Sequence, residues 1–184
     1  MIKIKELSLN ILDIVENSTK AGASLTEILI DECDEVMNIV IKDNGCGMNE
    51  ETLKAVTNPF YTTRTTRKVG LGIPLLVLAA EQTGGGVSIE SRTIAEFPDS
   101  HGTSVKATFY KKHMDFTPLG DIISTLVTII QGHDDRDFLF VHRISDKEVS
   151  LDTREIREVL GDIPLSEFEI LNWIRENLSE QYKI

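Results

Sequence analysis

Asp43-Asn44-Gly45-Cys46-Gly47-Met48, taken with Val69-Gly70-Leu71-Gly72-Ile73 further along, decides how this chain reads. The apolar run Val36-Met37-Asn38-Ile39-Val40-Ile41 leads into Asp43 and predicts a strand that ends on a carboxylate. A carboxylate there can accept a hydrogen bond from an exocyclic amine. Glycines at positions 45 and 47 let the backbone approach a flat ring, because no Cβ intervenes. The second glycine pair precedes a helical pattern. A glycine turn that feeds a helix N-terminus suits an anion, since free N–H groups and the helix dipole both point at it. One stretch suits a base and the other phosphates. A nucleotide spanning both is the sharp reading, and two ordinary glycine turns the plain one.

Working outward, residues from about Ile4 to Ala21 predict a helix, with Leu7, Ile11, Ile14, Val15 and Ser18 on one face. Asp13, Asn17 and Lys20 share another face. That acid, amide and amine could hold a hydrated metal and phosphate oxygens, or form a solvated polar stripe. Gly22 ends the helix. Leu25–Cys33 and Val36–Asp43 predict two strands joined at Asp34-Glu35, and Asn49 reads as the N-cap of a short helix. Asn58 to Lys68 carries four threonines and three basic residues without apolar periodicity after Tyr61. It reads as a lid over a phosphate chain, or as a soluble connector. Gly72–Thr83 predicts a buried helix, and Val87–Arg92 and Ser104–Phe109 predict strands. The order predicts an antiparallel or mixed sheet with its helices on one face.

Beyond Met114 the pattern predicts a helix over 122–130 started by Pro118 or Asp121, a hairpin of 138–144 with 148–151, and helices over 153–160 and 166–178. Ser166 is the expected N-cap of the last, and Trp173 its core residue. The division expected is therefore 1–113 and 114–184.

The 184 residues carry a formal net charge of −11, and residues 114–184 are the more acidic part. A broad basic face for nucleic acid is not expected. Cys33 and Cys46 show no metal spacing; a reduced cytoplasmic setting is the simpler expectation, with Cys33 in the core and Cys46 packed under the glycine loop. No apolar run reaches membrane-spanning length, and no signal peptide is expected. His101, His113 and His142 show no metal spacing.

These stretches resemble the ATP-binding superfamily of DNA gyrase, the ninety-kilodalton heat-shock chaperones, sensor histidine kinases and MutL-type repair proteins. Asp13-Ile14-Val15-Glu16-Asn17-Ser18-Thr19-Lys20-Ala21-Gly22-Ala23 is similar to the asparagine box, in wording close to the MutL version. Asp43 to Met48 is similar to the first glycine box, Asn58-Pro59-Phe60-Tyr61-Thr62-Thr63 to the phenylalanine box of the kinases, Val69 to Ile73 to the second glycine box, and Gly102-Thr103 to the closing Gly-Thr. The resemblance covers about residues 5 to 110. It implies an α+β fold: a two-layer α/β sandwich of Bergerat type with helices on one face of a mixed sheet, here with a small α+β extension.

The resemblance also implies roles. Asn17 would bind Mg²⁺, and that ion prefers oxygen ligands with retained waters. Lys20 would lie near phosphate. Asp43 would take the adenine amine with Thr103 helping through a water, and Gly45, Gly47 and Met48 would line the base. Phe60, Thr62, Thr63, Arg64, Arg67, Lys68, Gly70, Leu71 and Gly72 would form the lid and its phosphate contacts. Asp13 stands where hydrolysing members carry a glutamate general base; its shorter carboxylate suggests slow or absent hydrolysis. The kinases carry a phosphoacceptor helical hairpin ahead of this domain, and none is expected here. His133-Asp134-Asp135-Arg136 faintly resembles an acceptor motif but falls in a turn, so a surface histidine is expected. The implied function is a Mg-ATP-binding protein that acts with a partner protein, or as a homodimer, as a kinase or ATPase subunit. The alternatives are a non-catalytic ATP-gated interaction module and a MutL-like DNA-repair ATPase fragment.

Overall fold

The computed structural model describes residues 6–56 and 72–183. Its elements run α1 (Leu7–Lys20), β1 (Leu25–Glu32), β2 (Val36–Asp43), α2 (Glu50–Val56), α3 (Gly72–Gln82), β3 (Gly86–Arg92), β4 (Gly102–Tyr110), α4 (Ile122–Gly132), β5 (Asp137–Ile144), β6 (Lys147–Asp152), α5 (Thr153–Leu160) and α6 (Phe168–Lys183). The six strands form one mixed sheet in the order β3-β4-β2-β1-β5-β6. Only β1 and β5 pair in parallel; the other neighbours are antiparallel. This is the α+β sandwich that the sequence implies.

Alternation decides which face each side chain takes. Along β2, Met37, Ile39 and Ile41 are buried, as are Ile28 and Ile30 of β1, Val105, Ala107 and Phe109 of β4, and Phe138 and Phe140 of β5. They meet the apolar stripe Leu7, Ile11, Ile14 and Val15 of α1 and residues of α3, α4 and α6 in one core. Each of the larger of these side chains stabilises the fold by about 1.5–3 kcal/mol through removal from water. Glu27, Lys42 and Lys106 occupy alternate positions on the opposite face, beside the half-buried Leu29, Val40, Leu139 and Val141, so that face is mixed in character. Asp43 has the parity of Ile41, so its side chain emerges on the helix-covered face.

The sheet continues across residue 113. Parallel neighbours need a long crossover, and here it includes α4, which packs beside α1. Backbone bonds from Leu7 N to Pro118 O and from Ser8 N to Leu119 O tie the start of α1 to the same segment. Asp121 caps α4 by accepting from Ser124 N at 2.9 Å, as expected of one of the two candidates. Asn49 likewise accepts from Thr52 N at the start of α2.

Three expectations about core and cap residues fail here. Trp173 is half exposed, because the buried stripe of α6 is Leu171, Ile174 and Leu178 and residue 173 falls to its side. Ser166 does not begin the helix, which starts at Phe168; its hydroxyl instead donates to Asp134 Oδ2 at 2.6 Å. Cys33 is exposed, because it follows β1 with the parity of Asp31 on the open face. Among the described residues no helix is long and apolar enough to cross a membrane.

His142 is the one imidazole inside this core. Tyr182 OH lies 2.7 Å from its Nδ1 and Glu32 Oε2 lies 3.1 Å from its Nε2. Burial lowers its pKa, and the hydrogen bond and charge of Glu32 only partly oppose this. A lowered folded-state pKa means that the unfolded chain binds the proton more readily. Stability is therefore lost as pH falls through the ordinary histidine range near about 6.5. In urea titrations, His142→Gln should lose less stability than the wild type between pH 7.5 and 5.5. Parallel losses in the two proteins would mean that other groups carry the acid sensitivity.

Candidate functional site

Strand β2 ends on Asp43, and three elements converge on its carboxylate. Oδ1 accepts from Gly45 N at 2.9 Å and from Thr103 N at 3.3 Å. Oδ2 accepts from Ser18 Oγ of α1 at 2.7 Å. An ionised carboxylate has about four acceptor positions, so Asp43 is oriented from the loop, from β4 and from α1 while one position stays open. Asp43 itself is only half-buried.

The glycine loop is fixed by its neighbours. A Cβ on Gly45 would come within 2.9 Å of Ala21 Cβ, so the loop can lie on the end of α1 only without one. Cys46 N donates to Ala21 O at 2.9 Å across the same contact. Gly47 has φ +70° and a Cβ there would fall 1.9 Å from Arg92 O, so it needs glycine on both counts. Met48 N donates to Ser91 Oγ at 2.7 Å, and Ser91 Oγ meets Thr103 Oγ1 at 2.8 Å. His101 Nδ1 lies 2.6 Å from Gly45 O, and Ile94 N donates to Cys46 O. Asn44 turns away from this cluster, accepting from Ser24 N and Leu25 N. Cys46 is exposed rather than packed under the loop.

Asp13, Asn17 and Lys20 form an open stripe along α1, with Asp13 and Lys20 exposed and Asn17 half-buried. Ser18, next to Asn17, links that stripe to Asp43. Gly72 opens α3 against Asp13: a Cβ on it would lie 2.6 Å from Asp13 Cβ. Asn10 Nδ2 donates to Gly72 O at 3.4 Å from one turn earlier on α1. Thus Asp13, Asn17, Ser18, Asp43, Gly45, Gly47, Met48, Gly72 and Thr103 belong to one end of the sandwich. Phe60, Thr62, Thr63, Arg64, Arg67, Lys68, Gly70 and Leu71 lie outside the described residues.

The side chain of Asn17 makes no hydrogen bond to any described residue, and neither does that of Asp13. A free amide oxygen with a free carboxylate one turn away suits a hard cation that keeps several waters. Among the described residues no three His, Cys, Asp or Glu side chains converge on a metal position. Any cation here would therefore rest mostly on waters and on its anionic ligand.

A cavity of about 480 Å³ is lined by Glu27, Lys42, Glu90, Arg92 and His101 from the other face of the sheet and reaches Asp43 and Thr103 at its edge. Glu27, Lys42, Glu90 and Arg92 all have the parity opposite to Asp43's side chain. Neither residues 45–48 of the glycine loop nor the α1 stripe lines it.

Sequence reasoning overlooked Ser18, Ser91 and His101 as supports of the site. For Ser18 a signal was present, since a hydroxyl stands on an otherwise apolar helix face and must find a partner when buried. Ser91 and His101 carry no comparable local signal.

Residues 3–113 match the family model described as histidine kinase-, DNA gyrase B-, and HSP90-like ATPase. Sporulation kinase E of Bacillus subtilis is 34% identical over 90 residues, which are 48% of this chain and 12% of the kinase. The tetrathionate sensor histidine kinase TtrS of Salmonella typhimurium is 31% identical over 81 residues, 44% of this chain and 14% of the kinase. The chain thus spans only a small part of the curated relatives that it matches. Among solved structures, the ADP-complexed MutL ATPase domain of Aquifex aeolicus superposes with a TM-score of 0.56 at 15% identity, covering 85% of this chain and 69% of that domain. That likeness concerns the fold, and it reaches into the residues beyond 113.

The Ser18–Asp43 bond gives a direct test of how the site is built. Ser18→Ala leaves one oxygen of a carboxylate without its donor and should cost about 1–2 kcal/mol in denaturant titration. Ser8 is equally buried but its Oγ has no hydrogen-bond partner among the described residues. Ser8→Ala should therefore be neutral or stabilising. Equal losses from both substitutions would deny the bond its role.

Proposed function

Because the chain belongs to the family of histidine kinase-, DNA gyrase B- and HSP90-like ATPases, we propose that it binds Mg-ATP at the end of α1 and acts with a partner protein as a kinase or ATPase subunit. The observation that carries the reading is the carboxylate of Asp43, held by Ser18 Oγ, Gly45 N and Thr103 N with one acceptor position open. That position takes the adenine amino group. A base read in this way leaves the phosphates to run along the α1 stripe toward Gly72. Asn17 would hold Mg²⁺ through its free amide oxygen; the ion offsets phosphate charge and orients the phosphate oxygens. Lys20 adds a cation one turn further along α1. In the lid, Phe60, Thr62, Thr63, Arg64, Arg67, Lys68, Gly70 and Leu71 complete the phosphate end in this reading.

Asp13 is the candidate general base. Its carboxylate is free to take a proton from water, but its Cβ packs against Gly72, which limits its reach. This favours a second reading, in which ATP gates an interaction without being consumed.

Calorimetric titration with ATP tests the base-reading role. Asp43→Asn removes the charge from a charge-assisted hydrogen bond and should weaken binding by about 1–3 kcal/mol. Unchanged affinity would overturn the assignment. Asn17→Ala should abolish the dependence of ATP affinity on Mg²⁺ while sparing Mg-free binding; a variant that still responds to Mg²⁺ places the ion elsewhere.

Hydrolysis separates the two readings. Asp13→Glu lengthens the carboxylate by one methylene. If water activation is the missing element, phosphate release should rise, within the roughly 10²–10⁴-fold range typical of a placed general base. Fast release by the wild type that falls in Asp13→Glu would make the short carboxylate the working base and remove support for gating.

A further inference from the structure

We propose that His133, at the end of α4, is a positioning residue for the phosphate end of the nucleotide site. It holds Glu16 of α1 and thereby keeps Lys20 available to an anionic ligand. The inference rests on the nucleotide reading above, and it concerns a residue outside the part of the chain that the family model matches.

Glu16 lies one turn before Lys20 on the same side of α1, so its carboxylate competes with an anionic ligand for that ammonium. Its two oxygens go to different partners. Oε1 lies 2.7 Å from His133 Nε2, and Oε2 lies 3.8 Å from Lys20 Nζ. A carboxylate can only accept, so Nε2 carries the hydrogen and donates it. The short contact is to His133. The Lys20 pair is long, and the Lys20 side chain is 72% exposed, so that ammonium is weakly held and free to turn to a phosphate.

The imidazole does not reach Glu16 by chance. His133 caps α4, with its backbone N–H on Ile129 O and Ile130 O. The turn that follows is gripped from two sides. Arg157 of α5 donates to the carbonyls of Asp134 and Arg136. Arg136 Nη1 donates to Ala23 O at 3.2 Å, and Asp137 N donates to Ser24 O at 2.9 Å, just past the end of α1. The ring is therefore presented to α1 by a fixed turn. Without it, both oxygens of Glu16 could close on Lys20, and the full carboxylate charge would face the phosphates.

The test compares ATP with adenosine, which shares the base but lacks the phosphates. Affinities are measured by calorimetry with the full chain and Mg²⁺. His133→Ala should weaken ATP about 3–10-fold, the scale of a partly exposed charge interaction, while adenosine stays within about two-fold. Adding Glu16→Gln to His133→Ala should restore ATP affinity, because the uncompensated charge is gone. His133→Gln keeps a side-chain donor and should lose less than His133→Ala. An unchanged ATP-to-adenosine ratio in His133→Ala, or a loss that Glu16→Gln does not repair, overturns the proposal. Should His133→Ala fail to fold, Glu16→Gln alone carries the test: its ATP affinity should equal or exceed that of the wild type, and a fall overturns the role. A wild type that binds neither ligand overturns the nucleotide reading itself, whereas one that binds both with an unaffected His133→Ala overturns only this inference.

Discussion

The site depends on how one carboxylate is satisfied. Asp43 stands at the end of β2 on the covered face of the sheet, where leaving a charge without donors is costly. Its donors come from α1, from the glycine loop and from β4. Meeting that requirement fixes three elements relative to one another. Ser18 sets the rotation of α1, and with it the direction in which Asp13, Asn17 and Lys20 point. Gly45 holds the loop in, and the missing Cβ lets it rest on Ala21.

The residues beyond 113 join the same arrangement. β5 pairs in parallel with β1 over its whole length, and the open edge that β1 would otherwise present is covered. The turn between α4 and β5 then lies beside the turn between α1 and β1. That second turn is held by the glycine loop through Cys46 N and Asn44, and by the later segment through Arg136 and Asp137 N. A backbone segment held from both sides transmits displacement better than a free loop. The acidic later segment and the C-terminal end of α1 are thus neighbours through a shared turn.

Much of this was legible in the sequence because it is local or repetitive. Alternation in β1, β2 and β5 and the 3.6-residue stripe of α1 marked strands, helix and core, since each side chain's face follows from backbone period alone. The two glycine boxes and the asparagine box marked Asp43, Asn17 and Gly72 because positions of that chemistry stand out against apolar surroundings. Trp173, Cys33 and Ser166 were misread for the same kind of reason in reverse. Residue type suggested core or cap, while the phase of the helix, the parity of the strand and a distant acceptor on Asp134 decided otherwise.

The sequence by itself determined the succession of elements and which strand and helix positions enter the core. Those properties depend on neighbours within a turn or a strand. Only the tertiary structure decided that Ser18 serves Asp43, that Gly72 abuts Asp13, that β5 lies beside β1 and that His133 reaches Glu16. Each of these joins residues between 25 and 117 positions apart. Such pairs are set by which apolar faces pack together, and no local pattern in the chain encodes the partner of a hydroxyl or an imidazole that far away.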